Sequence, residues 1–155
     1  MSSVETKTFD SINLEAIEKT IEHKEILYDL FCKRCEDFNI SSNRQIDFTE
    51  HGLFVENHPY RVWFLIKFQN KYIGSVYLTT DNSVGVFLEK NQSFRLPELI
   101  NIILSKFKPL PAIPSIRQAY FVINISPEND KYEKILRELC FPMIQKTFRL
   151  EKRGK

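Results

Sequence analysis

The sequence predicts an α/β (α+β) domain with one mixed, mostly antiparallel central sheet flanked by helices. Three stretches carry this reading. From Lys71 to Leu88, two runs rich in β-branched, aromatic and apolar residues are joined by Thr80-Asp81-Asn82-Ser83. Asp81 and Asn82 tolerate left-handed turn geometry and can bond their own backbone, which makes this a hairpin. Directly ahead stands Val62-Trp63-Phe64-Leu65-Ile66-Lys67-Phe68, with Gln69-Asn70 as the turn between. Farther on, residues 116–125 are apolar on both faces and are separated from the hairpin by a helical pattern. A strand, a covering helix and an interior strand imply a crossover with locally parallel pairing. Neither hairpin run leaves one side polar, so the hairpin belongs in the middle of a covered sheet.

Taken in order, residues 1–11 read as a loose lead-in and 12–155 as a single domain. Between Ile12 and Ile21, the apolar Leu14, Ala16 and Ile17 suit a short strand or a helix start equally. Ile26, Leu27, Leu30, Phe31 and Phe38 then follow helical spacing, until the polar run Asn39 to Asn43 breaks it. A second, shorter helix fits 47–58, with Thr49 as N-cap, Leu53 and Phe54 on its apolar side, and Pro59 ending it. Three consecutive antiparallel strands occupy 62–88. The next helix carries Leu99, Ile100, Ile102, Ile103, Leu104 and Phe107, with Pro97 in its first turn where a missing N–H costs little. Apolar on most sides, it should be largely buried. Pro109, Pro111 and Pro114 stiffen the connector to the interior strand at 116–125. After a turn at 124–129, Tyr132, Ile135, Leu136 and Leu139 recur at i, i+3, i+4 and i+7 of a last helix. Cys140-Phe141-Pro142 stops it, and 143–150 reads as a final strand.

The totals limit the function. At 155 residues the chain can bury about two-thirds of its unfolded surface. Its 43% hydrophobic and 27% charged content is ordinary for a globular protein, and 13 Phe and six Tyr give an aromatic core. A net charge of +2 makes no case for nucleic acid, and the basic tail (Lys146, Arg149, Lys152, Arg153, Lys155) reads as a solvated end. No apolar run approaches the roughly 20 residues that span a bilayer, and Met1-Ser2-Ser3-Val4-Glu5 lacks the apolar core of a signal peptide. Three cysteines argue against a disulfide framework, so the expected location is the cytoplasm. Cys32-Lys33-Arg34-Cys35 falls late in a helical run, where no dipole would lower a thiol pKa, and lacks a second ligand pair for zinc. These cysteines read as small, partly buried side chains, and no metal is expected.

Several stretches, in this order, resemble the GCN5-related N-acetyltransferase (GNAT) family over about residues 14–150. Tyr72-Ile73-Gly74-Ser75-Val76-Tyr77-Leu78 is similar to that family's "IG-x-hydrophobic" strand, 124–129 to its turn, and 135–141 to its "LYEKLGF" ending. The resemblance implies that the strands at 84–88 and 116–125 splay apart. The backbone of Val86, Phe87 and Leu88 would then receive the pantetheine arm of acetyl-CoA, or a related acyl-CoA, as a pseudo-strand. It implies further that the helix starting at Leu96 faces the pyrophosphate, where free N–H groups and the helix dipole favour an anion. Asn129 matches the motif residue that contacts the cofactor, and Asn124 lies in the same turn.

The chain departs from the family pattern in three places. The pyrophosphate loop, Asn91-Gln92-Ser93-Phe94-Arg95-Leu96-Pro97, has no glycine, and Arg95 is the residue that would offset this by a bidentate phosphate contact. Leu136 stands where the family has its proton-donating Tyr; Tyr132, one turn earlier, is the substitute or else a core aromatic. Only 14 residues follow Phe141, enough for one strand rather than two. For the general base, Glu89 is best placed by topology, with Glu56 and His58 as others. The implied activity is direct acyl transfer to a small-molecule or protein amine. The alternative is a GNAT-like binding module without catalysis. Neither nucleic acid nor a membrane is expected as partner, and a homodimer stays open.

Overall fold

Strands β1 (Asn13–Ala16), β2 (Val62–Phe68), β3 (Lys71–Leu78), β4 (Ser83–Leu88) and β5 (Val122–Ile123) form one sheet in the order β1-β2-β3-β4-β5. This computed structural model describes residues 11–34 and 46–153. Cys35, Phe38, the break at 39–43 and residues 1–10 of the lead-in lie outside the described residues. The ladder is antiparallel from β1 to β4 and parallel between β4 and β5. The stretch 12–21, open in the sequence, resolves into β1 and then Thr20, whose hydroxyl accepts from His23 N–H at the head of helix α1 (Ile21–Cys32).

Between β2 and β3 the chain turns through Gln69 and Asn70, with φ of 48° and 60°, a geometry that matches strand twist. In the register Ile66 pairs with Gly74 and Lys67 with Tyr72, so Ile73 is an extra, bulged residue. The bulge turns Ile73 and Val76 to one face while Tyr72 and Tyr77 go to the other. Gly74 is required here: a Cβ would stand 2.0 Å from the carbonyl oxygen of Phe87 on β4.

Two cores follow from the alternation. One face of the sheet (Ile66, Val76, Leu78, Leu88) packs against α3 (Leu96–Lys106) and against Tyr132 of α4 (Asp130–Glu138). The opposite face (Trp63, Leu65, Phe87) packs against Leu27 and Leu30 of α1 and Val55 of α2 (Phe48–Asn57). The N-cap of α2 is Asp47, whose carboxylate accepts from Glu50 N–H at 2.8 Å; Thr49, expected in that role, lies inside the helix. The α3 helix is also less covered than expected. Leu96, Leu99 and Ile103 are buried, but Leu104 is 51% exposed, because only one side meets the sheet. Cys32 is exposed rather than partly buried.

Two strand expectations fail. Of 116–125, only Val122 and Ile123 pair with β4. Ser115 takes φ 65° in a tight turn closed by the Ile113–Arg117 bridge, and Arg117 donates to the carbonyls of Pro111 and Thr80. This leaves Ile116 74% exposed, because among the described residues β5 is the last strand of the sheet and nothing pairs outside it to make the stretch interior. Residues 143–150 form no strand and are exposed throughout. Among the described residues their backbone pairs with no strand, so apolar alternation alone does not fix them.

The parallel junction depends on Asn82. At φ 66° it closes the β3–β4 turn, and it is 1% exposed. Its side-chain amide donates to the carbonyls of Leu110 (3.0 Å) and Gln118 (2.8 Å), its Oδ1 accepts from Leu110 N–H (2.8 Å), and its carbonyl accepts from Val122 N–H (2.9 Å). Asn82→Ala loses three part-buried side-chain hydrogen bonds. Chemical denaturation should show a loss of about 3 kcal/mol. A loss under about 1 kcal/mol would mean that the connector is held elsewhere.

Candidate functional site

The β4–β5 ladder stops early. Ser83 pairs with Val122 and Val84 with Ile123, and β4 then runs on through Val86 and Leu88 with no β5 residue opposite. Glu89 N–H donates to Ile73 C=O at 2.8 Å, which sets the alternation: the backbone groups of Phe87 point to β3, those of Val86 and Leu88 to the parted side. So two of the three expected β4 positions present their main chain to the gap. Phe87 instead sends its buried ring to the α1–α2 face, with the Arg34 guanidinium 5.7 Å from its centroid.

Tyr132 reaches into this gap from α4. It is 1% exposed, and its hydroxyl accepts the Leu88 N–H at 3.2 Å. A short local chain of bonds aims it. Asn129 Oδ1 accepts from Tyr132 N–H at 3.2 Å as the α4 N-cap, and Asn129 N–H donates to Ser126 C=O at 3.0 Å. The Ser126 hydroxyl bonds the Glu128 carboxylate and holds that carboxyl below the usual range. Asn129 is buried and committed to capping, whereas Asn124 is exposed on the turn.

The segment after β4 is not an open loop. Residues 90–95 wind into a 3-10 turn (Lys90–Arg95) that runs straight into α3, with Leu96 N–H donating to Ser93 C=O. The helix N-terminus is therefore partly satisfied by its own lead-in. Arg95 is held over the Phe68 ring at 3.6 Å and the Phe94 ring at 4.9 Å. Its Nε donates to Gln92 Oε1 at 2.8 Å, and its guanidinium lies 3.5 Å from Glu98. A phosphate contact would have to compete with a cation–π pair, a hydrogen bond and an ion pair.

Glu89 extends the end of β4 toward α1. Its carboxylate is shared by Lys33 Nζ at 3.2 Å and Lys71 Nζ at 3.9 Å, so it ties the α1 end and the β3 start to β4. Glu56 is bonded by Lys24, which holds its carboxyl below the usual range. Burial pushes the His58 imidazole down, and its ring stacks on Tyr60 within an aromatic group that includes Trp63. Tyr60 stacks in turn on Tyr77 at 3.8 Å, and the Tyr77 ring covers Gly85 of β4, where no Cβ would fit.

The structure thus brings Val86, Leu88, Tyr132 and Asn129 together, with Glu89 at their margin, and sets Arg95 and Asn124 apart. Asn82 is the residue that sequence reasoning passed over. It reads as a turn former, and nothing local signals that its amide reaches chain 28 and 36 residues away.

Neither a protein-family profile nor a curated protein matches this sequence. Solved structures do match. A possible acetyltransferase from Clostridium difficile 630 superposes with a TM-score of 0.55 at 10% identity, over 94% of this chain and 100% of that one. An acetyl transferase from Salmonella typhimurium that modifies the N-terminal serine of 50S ribosomal subunit protein L7/L12 gives 0.51 at 17%, over 83% and 78%. RimL, a ribosomal L7/L12 alpha-N-protein acetyltransferase, gives 0.50 at 17%, over 83% and 75%. At such identities the likeness speaks for the fold. With its five-stranded mixed sheet, helices on both faces and strands that part beside α4, the chain has the fold of the GCN5-related N-acetyltransferases.

Proposed function

We propose that the protein is an acyl-CoA-dependent N-acyltransferase that moves an acetyl group from acetyl-CoA directly to a primary amine. The parted β4 edge carries the reading: Val86 and Leu88 turn their main chain to a gap that β5 does not fill, so an extended amide-bearing ligand can complete the ladder. In the transfer, the amine nitrogen bonds to the thioester carbonyl carbon, the C–S bond breaks, and the sulfur takes back a proton. We assign the return of that proton to the Tyr132 hydroxyl, which accepts from Leu88 N–H at the gap. Glu89, directly after β4, is the base we assign, acting through water. Most of the rate would come from alignment, because no covalent intermediate is invoked.

The acceptor is a small-molecule or protein amine. The protein α-amine acted on by the Salmonella typhimurium neighbour supports keeping protein acceptors in view. No helix of the described residues is long and apolar enough to cross a membrane. The reading takes the cytoplasm as the place of action and involves no nucleic acid or metal.

A second reading, a GNAT-like binding module without transfer, is favoured by Arg95. Its guanidinium is spent on Phe68, Phe94 and Glu98, beside a glycine-free turn already closed on itself. Melting curves with acetyl-CoA separate these readings. A hundredfold excess over Kd should add about 2.7 kcal/mol, roughly 5–10 °C for a chain of this size. No shift at millimolar ligand would contradict acyl-CoA binding altogether. A shift without transfer to a panel of amines would favour the module. In the active protein, Tyr132→Phe should lower kcat about a hundredfold or more while the acetyl-CoA shift persists. An unchanged kcat would leave Tyr132 a core residue.

A further inference from the structure

Lys33 and Arg34, just past the last turn of α1, are two cations that both turn to the end of β4. Lys33 reaches the Glu89 carboxylate at 3.2 Å, and the Arg34 guanidinium lies 5.7 Å from the centre of the Phe87 ring. Arg34 is half-buried there, and among the described residues no carboxylate pairs with it. Its distance from Phe87 is near the limit of a cation–π contact, so the N–H fork stays uncommitted. Arg95, by contrast, is taken up by two rings, Gln92 and Glu98. His51 of α2 stands beside Arg34. It is 5% exposed and packed on the rings of Tyr28 and Phe31, each at 5.5 Å. Its Nδ1 is buried with no hydrogen-bond partner among the described residues. Burial and the Arg34 charge both push the imidazole down, so it is neutral near pH 7 and keeps one ring N–H to donate. A half-buried cation without an anion and a buried ring nitrogen without a partner are each costly. One anion between them answers both.

We infer that the acetylated amine is a free amino acid, whose carboxylate is received by the Arg34 guanidinium and the His51 ring beside Phe87. The inference rests on the acyltransferase reading and names the substrate class of that same site. Side chains alternate along an extended strand, so Phe87 and Glu89, two residues apart, both face α1 and α2. Two residues of strand span about 7 Å. Glu89, the assigned base, and the anion site therefore stand at the two ends of a small amino acid. Its ammonium turns to Glu89 through water and its carboxylate to Arg34. A protein α-amine has an amide where that carboxylate would be. The charges agree: among the described residues, Lys33, Lys71 and Arg34 gather around the carboxylates of Glu89 and Asp29, leaving a positive surplus that draws in an anion. Tyr132 reaches the gap from the opposite face of the sheet, so this side is left to the acceptor. In the transfer, the ammonium gives one proton through water to Glu89. The nitrogen then bonds to the thioester carbonyl carbon, and its next proton goes to the departing sulfur. The product keeps its carboxylate on Arg34.

The test offers the full chain free amino acids and, one for one, their carboxamides, with acetyl-CoA. The best acid should exceed its amide in kcat/KM by about a hundredfold, the worth of a charge-assisted pair. In Arg34→Gln that preference should fall to a few fold, through KM rather than kcat, with the circular dichroism unchanged. Phosphoethanolamine, an amine bearing phosphate instead, should be a poor acceptor. Binding is followed separately, without acetyl-CoA. In proton–nitrogen spectra the His51 ring resonances should move as the preferred acid is added and stay fixed with its carboxamide. Equal rates for acid and amide would overturn the inference, as would a preference that survives Arg34→Gln. So would a His51 ring that does not respond to the acid, or phosphoethanolamine outdoing every amino acid. The two readings fail differently. If acetyl-CoA does not bind while acids still move the His51 ring, the carboxylate site stands and the acyltransferase reading falls. If acetyl-CoA binds and acids gain nothing over amides, the acyltransferase reading stands and this inference falls.

Discussion

The Asn82 amide decides where the sheet stops. Turn, connector and last strand meet at this buried side chain, which uses both its donor and its acceptor functions while its backbone takes a left-handed φ. Few residues meet all of these demands. Aspartate has no N–H to give, glutamine is a methylene too long, and glycine keeps the φ but not the bonds. Held this way, the connector arrives beside the first two residues of β4 and then leaves. The parted edge farther along β4 is a consequence.

That edge has a second dependence on Gly74. Without a Cβ, β3 comes close enough to the Phe87 carbonyl for the ladder to stay regular past the Ile73 bulge. Regularity fixes the alternation, and the alternation turns Val86 and Leu88 outward together. Tyr132 then supplies a side-chain group that answers a β4 N–H there, from a helix whose cap is built by Asn129. Between them, these residues shape the sheet junction to which we assign the chemistry.

How much of this can be read in the sequence differs by element. β2, the β3–β4 hairpin and the two turns that join them are plain, because β-branched and aromatic runs with Asn-bearing turns specify local pairing. The α4 helix is legible from its period. The stretches at 116–125 and 143–150 mislead because their pattern states a preference for pairing, and the partner is a tertiary matter. Arg95 is legible only in part. Its position after β4 suggests an anion, while Phe68, 27 residues earlier, captures it. Tyr132 is visible as an apolar-face residue, but its bond to Leu88, 44 residues away, appears only in the fold.

The parted β4 edge as the seat of the ligand can be observed at single amides. In nitrogen-15 spectra of the labelled protein, titration with acetyl-CoA should move the Val86 and Leu88 amide resonances and slow the exchange of Val86 with solvent. The Phe87 amide, already paired to β3, should change least of the three. If all three stay fixed while other resonances move, the ligand binds elsewhere and the parted strands are no more than a gap in the sheet.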